Sequence, residues 1–124
     1  MRKTDKKRDN AIRIALTEVC DVAQEESEGF MWLTHLVNYD AFPGSLSVIC
    51  VYDTDANMAN ADLDHMSSLI KKKLESIDIN LKDIRRHVRF DTEEKCKHEN
   101  NGKWQERLKS VSYTHLRAHE TEEN

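Results

Sequence analysis

Residues 30–55, FMWLTHLVNYDAFPGSLSVICVYDTD, constrain the fold most, because they hold most of the aromatic side chains and the only proline. Between Phe30 and Tyr39 the side chains of a strand would alternate. Phe30, Trp32, Thr34, Leu36 and Asn38 would face one way, and Met31, Leu33, His35, Val37 and Tyr39 the other. Both sets are largely apolar, so the pattern predicts a strand covered on both faces. Leu46 to Tyr52 is a near-continuous apolar run rich in β-forming residues. The connection, Asp40-Ala-Phe-Pro-Gly44, places a residue of fixed φ before one that tolerates positive φ, which reads as a turn. It is too short for a parallel crossover. The expectation is a central antiparallel hairpin, about 30–39 and 46–53, forming the floor of a small α+β domain.

The flanks read as covering helices. Ile12, Ala15, Leu16, Val19, Cys20 and Ala23 form one apolar stripe, which predicts a helix over about 10–26 ended by Gly29. Before it, Arg2, Lys3, Lys6, Lys7 and Arg8 form a basic N-terminal arm. Leu63, Met66, Ile70, Leu74 and Ile77 predict a second helix, about 60–76, with Lys71, Lys72 and Lys73 complementing the dipole at its end. His87-Val-Arg-Phe-Asp91 alternates and reads as a third, half-exposed strand. Thr92 then caps a short helix, about 92–100, with Glu93 and Glu94 in its first turn. Residues 103–108 read as a last turn packing Trp104 onto the domain.

Residues 111–121, VSYTHLRAHET, resemble one reading frame of a transposase-type sequencing adapter. That likeness implies a single native domain over 1–110 and a non-native tail over 111–124, so His115 and His119 are given no weight as a metal pair. The whole chain holds 19 Lys and Arg against 23 Asp and Glu. One of those cations and three of those acids lie in the tail. The near balance that remains argues against coating nucleic acid by charge alone. A charged start with no apolar run after it predicts no signal peptide, and no stretch reaches the ~20 apolar residues of a membrane span. Cys20, Cys50 and Cys96 are odd in number and widely spaced, as reduced thiols of a cytoplasmic protein would be.

The candidate chemistry lies in the acids. Asp53 and Asp55 follow the second strand, and Asp91 and Glu93 follow the third. If those strands are parallel neighbours, the clusters meet at one end of the sheet, where carboxylates could hold Mg²⁺ for phosphodiester hydrolysis. Lys95 or His35 would assist such a metal-dependent phosphodiesterase. Against it stands the simpler reading, in which these carboxylates cap helices and His35 is a satisfied core residue. Cys96-Lys-His98 has no partner at zinc spacing, and no phosphate loop or nucleophile elbow occurs.

Residues 1–6, Trp32-Leu-Thr-His-Leu-Val-Asn-Tyr39, Phe42-Pro43, Val51-Tyr-Asp-Thr54, His87-Val-Arg-Phe-Asp-Thr-Glu-Glu94 and Gly102-Lys-Trp104 resemble a family of small proteobacterial proteins. Its members are often labelled transcriptional regulators of the factor-for-inversion-stimulation (Fis) family. The label implies DNA binding through a C-terminal helix-turn-helix, whereas residues 102–108 here do not read as part of a helix pair. The leading expectation is a small cytoplasmic binding or regulatory domain that uses no cofactor. Nucleic acid is its candidate partner, contacted through Arg2, Lys3, Lys6, Lys7, Arg8, Lys71, Lys72 and Lys73. The phosphodiesterase is the alternative.

Overall fold

The structure, a computed structural model, describes residues 3–109. Arg2 and the adapter-like residues 111–124 lie outside the described residues. The fold is α+β: helices cover a three-stranded mixed sheet. Helix α1 (Lys3–Glu26) starts well before residue 10, so the basic segment is its first two turns rather than an arm. Lysine and arginine are good helix formers, and Asp5 in the first turn complements the dipole while packing to 7% exposure. The predicted stripe is buried: Ile12, Ala15, Leu16, Val19 and Ala23. The chain reverses at Gly29, whose φ of +84° favours glycine.

Strand β1 (Phe30–Leu36) is shorter than expected. Beyond it, the Asn38 side chain accepts from the Asp40 amide and caps a 3-10 turn (Tyr39–Ala41), which takes Tyr39 out of the strand. The expected alternation also breaks at Met31, where the register shifts between Phe30 and Trp32. The extra residue reverses the faces. Phe30, Leu33 and His35 turn to the main core, while Trp32, Thr34 and Leu36 turn away from it.

Strand β2 (Ser47–Tyr52) pairs antiparallel with β1, as the hairpin reading requires, and is buried throughout. Strand β3 (Val88–Thr92) lies on its other side and runs parallel to it, in the order β1-β2-β3. A parallel neighbour needs a long crossover. Here it contains α2 (Asp55–Asn60) and α3 (Leu63–Glu75). The predicted helix at 60–76 is α3; α2 is an addition, capped by Thr54, and Asp62 starts α3 afresh. The main core lies between α1, α3 and one sheet face, where Ile12, Leu16, Val48, Cys50, Ile70 and Leu74 meet.

Helix α4 (Glu93–Asn100) starts on Thr92, whose hydroxyl accepts from the Lys95 amide at 2.9 Å. It stops at Asn101, in the left-handed region at φ +54°. Helix α4 is the short helix expected over about 92–100; a further helix, α5 (residues 104–109), follows after three residues and stands where a last turn was expected. They serve the second sheet face. Ile49 and Val51 are buried there, and the Trp32 and Trp104 rings meet edge to face at 4.9 Å. Among the described residues no helix is long and apolar enough to cross a membrane.

Candidate functional site

Because β2 and β3 are parallel, both acidic clusters do reach one end of the sheet. The Tyr52–Thr92 pair marks that end. The Glu94 amide donates to the Asp53 carbonyl at 3.1 Å, and the Asp55 amide donates to Glu94 Oε1 at 2.9 Å. The carboxylates nevertheless face different tasks. Asp53 Oδ1 accepts from the Thr54 amide at 2.6 Å and the Asn57 amide group at 2.8 Å. The Asn57 bond leads in holding its carboxyl below the ordinary range. Asp55 Oδ1 accepts from the Thr92 hydroxyl at 2.6 Å.

Asp91 and Glu93 serve the second sheet face. Arg107 grips Asp91 through Nε at 2.5 Å and Nη2 at 2.9 Å, and also reaches Glu99 and Asn100. The Asp91 bond is the main cause of the raised pKa of Arg107, which fixes its charge further. Glu93 accepts from both indoles, from Trp104 at 2.5 Å and from Trp32 at 3.1 Å. These two acids therefore dock α5 onto the sheet. Among the described residues no three His, Cys, Asp or Glu side chains are placed to hold a metal ion.

His35 sits far from these acids. It pairs with Val48, whereas the acids begin beyond Tyr52. Four strand residues separate the two rows, about 13 Å. At its own end His35 donates through Nε2 to Asp9 Oδ1 at 3.0 Å, and Tyr39 donates to the same oxygen at 2.9 Å. The His35 bond, foremost, lowers the Asp9 pKa. Burial, then the Asp9 bond, raises that of Tyr39. Phenolate is disfavoured there, and with both bonds converging on one Asp9 oxygen the trio reads as a clamp. It ties α1 to the 37–46 connection. Arg8 reinforces it by stacking 4.9 Å from the Phe42 ring centroid, itself stacked on Tyr39. Cys50 is wholly buried, and burial pushes its thiol up to about 12, which leaves it inert.

The cations divide into two groups. Lys3, Lys6 and Lys7 are exposed on α1 and make no ion pair among the described residues. Arg8 lies 3.8 Å from Asp5. On α3, Lys73 is held by Glu18 at 2.7 Å, Lys71 is half-buried, and Lys72 is exposed. Glu18 is eleven helical positions beyond Lys7, so the two groups stand about 16 Å apart along α1. Lys95 on α4 is half-buried and apart from both.

Sequence reasoning missed Asp9, Tyr39 and Arg107 as partners; it expected Trp104 to pack on the domain, as it does, but not its bond to Glu93. The Tyr39–Asp9, Trp104–Glu93 and Arg107–Asp91 bonds join positions 11 to 30 residues apart. The available signals were a short-spaced His35-x-x-x-Tyr39 pair and a tryptophan and arginine at i, i+3 after α4. No family model, curated protein or solved structure matches the chain.

Proposed function

We propose that this protein is a small non-catalytic binding or regulatory domain that contacts nucleic-acid phosphates through its exposed lysines. The observation that carries this reading is the state of Lys3, Lys6 and Lys7. They project from an ordered helix into solvent and make no ion pair among the described residues. Ammonium groups held this way can displace condensed counterions, the main source of affinity for a phosphate backbone. Arg2, Arg8 and Lys71 to Lys73 belong to the same reading, Lys73 least because Glu18 holds it. The resemblance to proteins labelled Fis-family regulators favours DNA as the nucleic acid. Trp104 and Arg107 of the C-terminal helix pair are turned to Glu93 and Asp91, so they are not groove-reading residues in this proposal.

The competing hydrolase reading draws no support from the carboxylates. Asp53, Asp55, Asp91 and Glu93 each hold a separate structural partner. Fluorescence titration at low salt with duplex DNA, single-stranded DNA and RNA tests the proposal. Micromolar binding that weakens steeply with salt is expected. No binding to any of the three at micromolar protein would refute it. Mg²⁺ or Mn²⁺ should leave the unfolding midpoint unchanged, since only a ligand bound by the folded state raises it.

A further inference from the structure

Charge is sorted by the two ends of the molecule. Asp9 bonds His35, His35 pairs with Val48, and Val48 pairs with Val88. These four residues form one row across the fold. Gln24 likewise reaches the Met31 carbonyl, so α1 runs antiparallel to β1 and therefore in the sense of β2 and β3. Residues preceding Asp9 and residues preceding Val88 consequently project past the row at the same end. The first carry Lys3, Lys6, Lys7 and Arg8; the second carry Lys82, Arg85 and Arg86, all exposed. The Ile84–Arg86 3-10 turn holds the latter in place, with Ile84 packed on the core and the His87 ring donating to the Leu46 carbonyl at 2.7 Å.

Acids at this end are partly engaged. Asp5 is buried, Asp9 receives His35 and Tyr39, and Asp83 caps the 3-10 turn by accepting from the Arg85 amide. Asp40 and Asp78 also lie toward this end. At the opposite end α1, β2 and β3 all run into acids: Glu25, Glu26 and Glu28, then Asp53 and Asp55, then Glu93 and Glu94. Cations at the start of α1 and anions at its end add to the helix dipole instead of offsetting it. The charge of the chain is thereby polarised between its ends, with Arg8 and Arg85 each 3.8 Å from an acid of their own segment, Asp5 and Asp83, and such a field orients a protein approaching a polyanion.

We infer that the start of α1 and the 82–86 connector form one surface for a duplex phosphate backbone, engaged end-on with the acidic end held away. This rests on the nucleic-acid reading above and adds Lys82, Arg85 and Arg86 to it, while removing Lys71 to Lys73. A duplex carries one charge per ~1.7 Å of axis, so two basic segments at one end of the fold, with the 37–46 connection between them, meet several phosphates at once. Nothing in this surface distinguishes base sequence.

The test is anisotropy of the full chain with a labelled DNA duplex over a salt series, comparing K82A/R85A/R86A with K71A/K72A. Circular dichroism of both variants checks folding. The first variant should lose about tenfold or more in affinity and flatten the slope of log affinity against log salt by about 2 to 3, near 0.9 per lost contact. The second should match wild type, and an unrelated duplex sequence should bind as well. Wild-type binding that survives K82A/R85A/R86A, or that falls as far with K71A/K72A, overturns this surface and leaves the nucleic-acid reading standing. Failure of wild type to bind overturns both.

Discussion

Replacing Arg107 by methionine keeps much of the packed aliphatic stem and removes the guanidinium. The side chains of Arg107 and Asp91 are 15% and 17% exposed. The two are joined by paired bonds at 2.5 and 2.9 Å. An exposed ion pair contributes about 0–1 kcal/mol, and removing one partner of a fully buried pair costs about 3–5 kcal/mol. This pair lies between those limits, and loss of the contacts to Glu99 and Asn100 adds little because Glu99 is exposed. The expected loss for R107M is about 2–3 kcal/mol, or roughly 8–15 °C in Tm. Urea unfolding of wild type, R107M, D91N and the double variant gives the coupling energy directly. A coupling of about 1.5 kcal/mol or more is expected. A value under about 0.5 kcal/mol would refute the argument that this pair docks α5 on the sheet.

Gly29→Ala should destabilise by about 1–3 kcal/mol, measured by the same unfolding assay. Its φ is +84°, and an added Cβ would meet Asn57 and Asp53 side-chain atoms at 2.6 Å. Asp9 has a depressed carboxyl, so its contribution is present above the ordinary carboxylate range near 4 and fades as pH falls through its lower folded value. Asp9→Asn should therefore lose stability at neutral pH and less in acid. Tyr39 is raised, so its neutral form stabilises below about pH 10 and that contribution fades as pH climbs further. In the Asp9→Asn variant the Tyr39 phenolate, followed by ultraviolet absorbance, should appear at lower pH than in wild type.

Local pattern revealed the elements whose signals are local. The α1 stripe, the buried run of β2, the turn at Pro43-Gly44 and the Thr92 cap all follow from residue type and spacing. The bulge at Met31 left no such trace: an extra residue in an apolar strand changes no residue type, yet it exchanged the faces of Trp32 and Leu33. The split of the second helix turned on Thr54 and Asp62, two caps in a loop rich in capping residues. The parallel pairing of β2 and β3 was only a condition in the sequence, because it depends on how residues 53–87 cross over. The convergence of the acidic loops followed once that condition held. The tasks of their side chains did not, since Trp32, Trp104 and Arg107 reach Glu93 and Asp91 through tertiary packing alone. The charge sorting was hidden for the same reason: only the Asp9–His35–Val48–Val88 row places Lys82 to Arg86 at the same end of the fold as Lys3 to Arg8.

The central claim, that the domain meets a phosphate backbone with the α1-start end, is tested most directly by mapping amide chemical shifts while titrating duplex DNA into the labelled protein. The account predicts that signals of residues 3–8 and 82–87 move together, saturate together and return as salt is raised. Signals of residues 53–55 and 93–94, at the acidic end, should stay in place. Shifts centred on those acidic segments or on α5, with residues 3–8 and 82–87 unmoved, would contradict it.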